Sequence, residues 1–347
     1  MGLAEIRELV KPVIKEVDLK FLSGKIVALD AFNALYQFLS AIRQQDGTPL
    51  MDSKGRITSH LSGLFYRTKN LLEEGIKPVY VFDGKHPEFK RKEIEMREEL
   101  RKKMGEKYKK ALEMGIKGDL KKYASFTSKL TPDMVEESKE LLDAMGIPWI
   151  QAPSEGEAQA AYMVKKGLAD YVGSQDYDSL LFGAPRVVRN LTITGKRKVR
   201  GAVVEVNPEI IELQDVLNTL KFDQRKLIWF SLIIGTDYNP DGIPGIGVKT
   251  AYDLVKNSND PDKLFNYVGW NKYYPDISWR DLEEFFLDPP VIDIDKLEFR
   301  EPDEEKIRKI LIDEHDFSEE RVNKAIEELK KAIKQGTQKD ILSFFKK

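Results

Sequence analysis

Four carboxylates lie close together in the sequence between positions 152 and 179: Glu155, Glu157, Asp176 and Asp178. Grouped carboxylate oxygens are typical of sites for hard divalent cations such as Mg²⁺. Four like charges in one crevice repel one another unless a cation lies among them. The alternative is a helix cap followed by an acidic loop, because carboxylates near a helix N-terminus stabilise the helix without any ligand.

Local patterns predict the elements that carry these four acids. Ser154 and Glu157 have the spacing of a capping box, which predicts a helix over residues 155–166. Residues 170–174 read as a short apolar strand, and two of the aspartates follow its C-terminal end. Ligands of open α/β sheets bind at that end of the strands.

Two further aspartates end apolar runs, Asp30 after KIVAL and Asp83 after PVYVF. Runs that are apolar on both faces predict buried parallel strands, and the segment between them is long enough for a helical crossover. Parallel strands end on one edge of a sheet, so we expect both aspartates to face the same crevice as the other four acids. The alternative for each is a turn residue or helix cap.

Length and composition predict one large α/β domain, or one domain with insertions, over residues 1–335, with a central, largely parallel sheet flanked by helices, and a flexible tail over residues 336–347. The 347 residues are 41% hydrophobic and include no cysteine and three histidines. Any metal is therefore expected to bind oxygen ligands rather than thiolates. With no apolar run long enough to span a bilayer and no secretory signal pattern, we expect a cytoplasmic protein.

Positive charge is concentrated locally although the net charge is only −2. Residues 85–129 contain 15 Lys and Arg against 8 Asp and Glu, and residues 186–200 contain six basic residues and no acid. Lys90, Arg97 and Arg101 have the spacing of one helix face. Basic patches beside an acidic cluster predict a polyanion held over metal ions; a solvated, charge-rich surface is the alternative.

Two later segments complete the candidate residues. Residues 223–235 predict a buried helix, which Asp237 follows, and the glycine-rich turn at 242–247 leads into another helix with Lys249 in its first turn. Free backbone N–H groups at such a turn bind phosphate, although a plain helix–helix turn also uses glycines. At the terminus, Ile341, Phe344 and Phe345 predict a short motif that binds a partner groove, or an end that packs on its own domain.

The ordered motifs VALDAFNALYQF, VYVFDGKHPEFK, APSEGEAQAAYM, GSQDYDSLLFG, LIIGTDYNPDGIPGIGVKTA and QKDILSFFKK resemble the archaeal flap endonucleases of the structure-specific 5′ nuclease family. The resemblance covers essentially the whole chain. It implies an α/β nuclease fold with a basic helical arch inserted at about residues 85–129 and a helix–two-turn–helix DNA-binding element at about residues 223–257.

The resemblance implies seven acidic residues around two Mg²⁺ ions, which Mn²⁺ can replace: Asp30, Asp83, Glu155, Glu157, Asp176, Asp178 and Asp237. The first four in sequence are assigned mainly to one ion and the last three to the other. It also implies that Lys90 and Arg97 contact the scissile phosphate, that Tyr36 stacks on a base, and that Gly2 is the mature N-terminus beside the active site.

Further roles follow from the same resemblance. Gly245, Gly247 and Lys249 would contact the duplex backbone with a K⁺ ion, and Gln338, Ile341, Phe344 and Phe345 have the spacing of a motif that binds the sliding clamp PCNA. The loop at 239–244 differs from that of eukaryotic relatives, since it is one residue longer and has Pro244 where a basic residue is common. That difference leaves the K⁺ ligands open.

The resulting expectation is a monomeric, two-metal nuclease that removes 5′ flaps and acts as a 5′-3′ exonuclease in replication, where it processes Okazaki fragments, and in repair. A related nuclease for Holliday junctions or repair bubbles is the first alternative. A non-catalytic adaptor that binds clamp and DNA is another, and it gives no role to the clustered acids. A ribonuclease on a similar acidic sheet edge is the third.

Overall fold

The computed structural model describes residues 6–44, 47–113, 129–193, 195–199 and 202–344, with the side chains of 92–93, 108–109, 111–113, 196–199, 202–204 and 335–344 left out. Within these residues the helices are α1 (Ile6–Val10), α2 (Ala31–Ala41), α3 (Ser59–Glu73), α4 (Arg91–Glu113), α5 (Pro132–Ala144), α6 (Gly156–Lys165), α7 (Asp178–Leu181), α8 (Leu213–Leu220), α9 (Gln224–Ile234), α10 (Val248–Asn257), α11 (Pro261–Tyr267), α12 (Trp270–Tyr273), α13 (Trp279–Leu287), α14 (Glu304–Arg308) and α15 (Glu319–Phe344).

The strands in the same residues are β1 (Lys15–Glu16), β2 (Ile26–Asp30), β3 (Lys77–Phe82), β4 (Trp149–Gln151), β5 (Tyr171–Gly173), β6 (Arg186–Arg189), β7 (Gly195–Val199), β8 (Ala202–Val206) and β9 (Glu209–Glu212). Short 3₁₀ turns lie at Lys11–Val13, Leu19–Leu22, Glu88–Lys90 and Leu191–Ile193, and a π-helical turn spans Lys309–Asp313. Helices and strands are interspersed up to β9 and only helices follow it among the described residues; the parallel strand pairs with helices between them confirm the predicted α/β class.

The chain divides into two compact units. The first unit comprises Met1–Asp18, Asp83–Met96 and Gln151–Ile294, and the second comprises Leu19–Phe82, Arg97–Ile150 and Asp295–Lys347. Each unit has its own strands and its own apolar core.

In the first unit, strands lie in the order β1-β9-β6-β5. β5 and β6 are parallel, with Val172 opposite Val187, whereas β9 runs antiparallel to both β6 and β1. All three residues of β5 are buried, as expected for a strand covered on both faces. The antiparallel strand β9 makes the sheet mixed, whereas its β5–β6 pair is parallel as predicted. β7 and β8 form a separate antiparallel pair.

In the second unit, β2 and β3 are parallel over five residue pairs, from Ile26 opposite Lys77 to Asp30 opposite Val81. The helices α2 and α3 form the crossover between them. They approach closely because Gly63 has no side chain: a Cβ there would lie 2.2 Å from Cγ of Phe38. Phe65, Phe82 and Leu35 are among the fully buried side chains of this core.

The predicted helix–two-turn–helix element lies in the first unit as α9, a turn over residues 235–247, and α10. Asn239 is fully buried and organises the turn, since its Oδ1 accepts hydrogen bonds from the backbone N (3.2 Å) and Oγ1 (2.7 Å) of Thr236. Gly242 lies so close to α9 that a Cβ would approach the carbonyl carbon of Ile234 to 2.6 Å. These contacts within the protein therefore fix the conformation of the turn without a ligand.

At the C-terminal end, the backbone of α15 continues to Phe344. The side chains of Gln338, Ile341 and Phe344 and all of Phe345 lie outside the described residues. None of the described helices combines the length and apolar character that a membrane-spanning segment needs.

Candidate active site

Six of the seven predicted carboxylates belong to the first unit, and we call these six the carboxylate cluster: Asp83, Glu155, Glu157, Asp176, Asp178 and Asp237. They come from the turn after β3, the start of α6, the segment after β5 and the turn after α9.

Asp83 is held by the segment that leads into α6. Its backbone carbonyl accepts a hydrogen bond from Nε2 of Gln151 (2.6 Å), and its Oδ1 accepts one from the backbone N of Gly156 (2.6 Å). The next residue, Gly84, packs against the same segment so closely that a Cβ would lie 2.1 Å from the carbonyl oxygen of Ala152. Close backbone packing therefore requires a glycine at position 84, directly after Asp83.

Glu155 is buried and lies between two basic side chains. Its Oε2 accepts a hydrogen bond from Nζ of Lys90 at 2.5 Å, and its Oε1 lies 3.5 Å from Nδ1 of His86. Burial opposes its ionised form, yet His86 and Lys90 together lower the pKa of Glu155. Glu155 is therefore ionised at neutral pH.

Lys90 is a buried cation shared by two acids. Its Nζ also lies 3.5 Å from Oδ2 of Asp237. Burial opposes the charged amine, but the charges of Glu155 and Asp237 outweigh that effect and raise the pKa of Lys90. The amine stays protonated throughout the neutral range.

Aromatic packing positions both Lys90 and Asp237. Phe89, which precedes Lys90, has its ring centroid 5.2 Å from that of Tyr238 and 5.1 Å from that of Phe285, in edge-to-face geometry. Tyr238 directly follows Asp237 and is buried. Such contacts stabilise by about 0.5–1.5 kcal/mol beyond the burial of area, so one aromatic group fixes the basic and the acidic residue together.

Glu157 connects α6 to the segment after β5. Its Oε1 accepts hydrogen bonds from the hydroxyls of Ser174 and Ser179, the latter at 3.0 Å. Oγ of Ser174 in turn accepts one from the backbone N of Asp176 (3.1 Å). The predicted capping box is wrong: Glu155 occupies the N-cap position, no side chain caps α6, and Glu157 is turned toward the two serines instead of its own helix.

Asp178 is an acid of the cluster whose pKa is strongly raised. Its Oδ1 is inaccessible and has no hydrogen-bond partner among the described residues. Burial and the charges of Asp237 and Asp176 raise the pKa of Asp178 well above its usual range, against the opposing effect of Lys90. Burial and the charge of Glu155 likewise raise the pKa of Asp83.

Arg189 at the end of β6 holds the segment that carries Asp176 and Asp178. Its Nε donates to the carbonyl oxygen of Gln175 (3.0 Å), and its Nη1 donates to the hydroxyl of Tyr177 (2.9 Å). The guanidinium lies 4.5 Å from the centroid of the Tyr177 ring. Arg189 therefore fixes the residues on both sides of Asp176.

This donor set fits a hard divalent cation. Carboxylate oxygens are the ligands that Mg²⁺ prefers. Two of them, Oε1 of Glu155 and Oδ1 of Asp178, are buried and accept no hydrogen bond from the described residues, a costly state for an ionised group. A divalent cation would relieve both the repulsion and the loss of hydration.

Asp30, Tyr36 and Arg97 of the predicted set belong to the second unit. Asp30 ends β2 in the second unit, where its Oδ1 accepts a hydrogen bond from the backbone N of Asn33 at 3.0 Å. Tyr36 of α2 receives a hydrogen bond on its hydroxyl from Nη2 of Arg101 (3.1 Å), and that guanidinium lies 5.5 Å from the ring centroid. Arg97 is exposed on α4.

The glycine turn of the first unit is open to solvent. Gly245 has a φ of +83°, and both it and Gly247 have free space where a Cβ would stand. Lys249 is exposed in the first turn of α10. Gly2, and residues 114–128 of the predicted arch, lie outside the described residues.

Sequence reasoning missed three residues that contact the cluster, His86, Ser174 and Ser179, and a fourth, Arg189, that holds the segment carrying Asp176 and Asp178. His86 stands three positions after Asp83, and this proximity in the sequence could have indicated it as a candidate site residue. The serines lie next to predicted ligands, whereas nothing in the sequence indicates that Arg189 reaches back to Gln175.

Comparison with known proteins agrees with this geometry. Residues 1–104 match the XPG N-terminal domain, and residues 146–237 match the XPG I-region. The chain is 58% identical over 335 residues to the flap endonuclease 1 of Pyrococcus furiosus, covering 96% of this chain and 97% of the relative.

Solved structures give the same result. The flap endonuclease-1 of Methanococcus jannaschii matches with a TM-score of 0.73 and 41% identity, over 93% of this chain and 96% of the other. The catalytic core of Rad2 in complex with a DNA substrate shares the fold, with a TM-score of 0.68 and 24% identity over 94% of this chain and 100% of the other. This chain therefore belongs to the flap endonuclease 1 family of structure-specific nucleases.

Proposed function

We propose that the protein is a Mg²⁺-dependent 5′ flap endonuclease and 5′-3′ exonuclease that processes Okazaki fragments in replication and acts in DNA repair. The observation that carries the proposal is the carboxylate cluster, whose buried oxygens of Glu155 and Asp178 accept no hydrogen bond among the described residues, next to the buried cation of Lys90. A member of this family with such a cluster has the oxygen donors that phosphodiester hydrolysis requires.

The six acids of the carboxylate cluster would hold two Mg²⁺ ions, with Mn²⁺ as a possible substitute. When bound, such ions lower the pKa of water and neutralise charge on the phosphate. Glu157 is oriented by two serines and Asp176 by Ser174, so these acids are held in place before an ion binds. Asp30 stays a prediction of the family resemblance, and loss of cleavage in Asp30→Ala would test it.

Lys90 would place positive charge beside the scissile phosphate. Its amine is protonated at neutral pH and is fixed between Glu155 and Asp237. A preorganised cation stabilises the charge that develops in the transition state without a cost of reorganisation at that moment. Arg97, exposed on the basic helix α4, would contribute in the same way.

DNA contacts would come from two further groups. The half-buried ring of Tyr36 would stack on a base. The exposed turn at Gly245 and Gly247, with Lys249, would bind the duplex backbone, because phosphates bind free backbone N–H groups at helix N-termini. A K⁺ ion at this turn belongs to the same proposal.

The terminal segment would bind the sliding clamp PCNA through Gln338, Ile341, Phe344 and Phe345. These side chains lie outside the described residues, so the proposal rests on their spacing. Phe344→Ala combined with Phe345→Ala should abolish clamp binding in calorimetry while flap cleavage without clamp is unchanged. Action on chromosomal DNA in a prokaryotic cell would place the protein in the cytoplasm.

Cleavage of a labelled double-flap duplex tests the function. The substrate is compared with a 3′ flap, a four-way junction, a single strand and an RNA flap, each in Mg²⁺ and in EDTA. A single incision near the base of the 5′ DNA flap, lost in EDTA, is expected. Tight binding without cleavage in either Mg²⁺ or Mn²⁺ would support a non-catalytic adaptor, and cleavage confined to the junction would support a junction nuclease.

A further inference from the structure

Asp83, His86 and Glu155 bring three ligand atoms together in the first unit. One atom from each side chain lies within 4.8 Å of the others. Within the described part of the chain, this is the group of acids and histidines that comes closest to the arrangement of a metal site. It differs from the rest of the carboxylate cluster because one member is an imidazole.

Glu155 divides its two oxygens between different neighbours. Oε2 accepts the hydrogen bond from Lys90, whereas Oε1 is inaccessible to solvent and accepts no hydrogen bond from the described residues. The side chain is only 8% exposed. A buried carboxylate oxygen without a hydrogen bond is costly, and an ion at Oε1 would satisfy it without displacing Lys90.

The position of His86 suits a ligand. Its Nδ1 lies 3.5 Å from Oε1 of Glu155, in a contact without a hydrogen bond. Two ligand atoms that each lie about 2.1 Å from one ion are separated by roughly 3–3.5 Å. The His86 side chain is 41% exposed, so an ion can reach it from solvent.

The imidazole changes which ions this group prefers. Mg²⁺ selects oxygen ligands, whereas divalent ions of the first transition series also accept imidazole nitrogen and bind more tightly from Mn²⁺ to Cu²⁺. A site with one nitrogen and two carboxylates therefore favours a transition ion over Mg²⁺.

We propose that Asp83, His86 and Glu155 form a binding site for a divalent transition-metal ion such as Mn²⁺, with His86 as the nitrogen ligand that distinguishes this ion from Mg²⁺. The inference rests on the proposed function for the two carboxylates and deepens it, since it assigns the metal preference to one residue.

Electron paramagnetic resonance of Mn²⁺ bound to the full chain without DNA tests the proposal. Pulsed spectra should show coupling of Mn²⁺ to an imidazole nitrogen in the wild type. In His86→Ala this coupling should be lost, and the affinity for Mn²⁺, measured from the free-ion signal, should fall at least about tenfold. The affinity for Mg²⁺, measured by competition, should change less than about threefold.

Lys85→Ala is the matched control, because Lys85 is exposed in the same loop. It should keep both the nitrogen coupling and the preference for Mn²⁺. The other two histidines, His60 and His315, are unchanged in His86→Ala, so loss of the coupling in that variant identifies the ligand.

Absence of nitrogen coupling in the wild type would overturn the inference, as would an equal loss of Mn²⁺ and Mg²⁺ affinity in His86→Ala. Flap cleavage by the wild type in Mg²⁺ is measured separately. Failure of that assay would overturn the proposed function while the spectra still decide the role of His86.

Discussion

Two regions of the molecule bring ionisable side chains together away from water, and they do so in opposite ways. The carboxylate cluster of the first unit leaves carboxylate oxygens of Glu155 and Asp178 without a hydrogen bond among the described residues. The second unit contains a group that we call the histidine network: Asp52, Arg56, His60, Glu137 and His315.

In the histidine network each acid has a partner. Oδ2 of Asp52 accepts a hydrogen bond from Nε of Arg56 (2.7 Å), and its Oδ1 accepts from two backbone N–H groups. Oε2 of Glu137 is hydrogen-bonded to Nε2 of His60 at 3.0 Å, and Oε1 lies 3.6 Å from Nε2 of His315. The buried atoms without a hydrogen bond here are Nδ1 of His60 and Nδ1 of His315, and the second of these lies 3.6 Å from Oδ2 of Asp52.

The pKa values of the acids shift in opposite directions in the two regions. Loss of hydration opposes the ionised form of Asp52, but hydrogen bonds from Arg56 lower the pKa of that carboxyl, whereas burial and like charges raise the pKa of Asp178. Paired charges contribute to stability, and uncompensated ones reduce it unless a cation is present. A bound cation would therefore stabilise the first region, whereas contacts within the protein stabilise the second.

The largest expected effect is on cleavage. Asp178→Asn keeps the shape of the side chain but removes its charge and an oxygen that we propose as a metal ligand, so the rate of flap cleavage in Mg²⁺ should fall at least about a thousandfold, or ~4 kcal/mol of transition-state stabilisation. Binding of the flap duplex, measured by fluorescence anisotropy, should be nearly unchanged. Cleavage at the wild-type rate would show that this buried oxygen is not arranged for an ion.

A smaller effect is expected from Arg189, which positions the acids without touching a ligand. Arg189→Gln removes its bonds to Gln175 and Tyr177 and its ion pair with Glu209, and the turnover rate should fall about tenfold at low Mg²⁺ and recover at high Mg²⁺. Arg186→Gln on the same strand is the control, because Arg186 donates to the carbonyl oxygen of Asp170 instead. Equal losses in the two variants would argue for a general effect on the sheet.

The smallest expected effect is on the pH dependence of stability in the second unit. Burial lowers the pKa of His315; Arg56 and His60 act in the same direction, and Glu137 and Asp52 oppose them. The folded state then binds fewer protons at this site than the unfolded state, so stability is lost as the pH falls below about 6.5.

The variant His315→Gln cannot titrate at this position. The stability difference between wild type and His315→Gln, from urea unfolding at several pH values, should shift against the wild type between pH 7 and pH 5.5. A difference that is constant with pH would remove His315 as the cause. Comparing the two proteins cancels the opposite contribution of Asp83 and Asp178, whose raised pKa values favour the folded state on acidification.

Sequence patterns predicted those features of the site that depend on local structure, namely which strand or helix each acid follows. Asp30 and Asp83 are at or next to the ends of buried strands, and the turn after α9 delivers Asp237, as apolar runs and glycines indicated. The capping box at Ser154 was wrong because Glu157 bonds to serines 17 and 22 residues away. Such pairings depend on tertiary packing, which periodicity does not specify.

The histidine network illustrates the same limit. Asp52, Glu137 and His315 are far apart in the sequence and lie in segments with no recognisable motif. Only the packing of the second unit brings them together. His86 was visible beside Asp83, but its contact with Glu155 spans 69 positions and could not be read from either segment alone.

The most direct test compares the stability of two isosteric variants, Asp178→Asn and Asp52→Asn, by urea unfolding in EDTA at pH 7.5. If the first region holds uncompensated charge, Asp178→Asn should raise the free energy of unfolding by about 1 kcal/mol or more. Asp52→Asn should lower it, because the ion pair with Arg56 is lost. A decrease in both variants would contradict the account, since it would mean that both acids stabilise the fold and neither site is arranged for a cation.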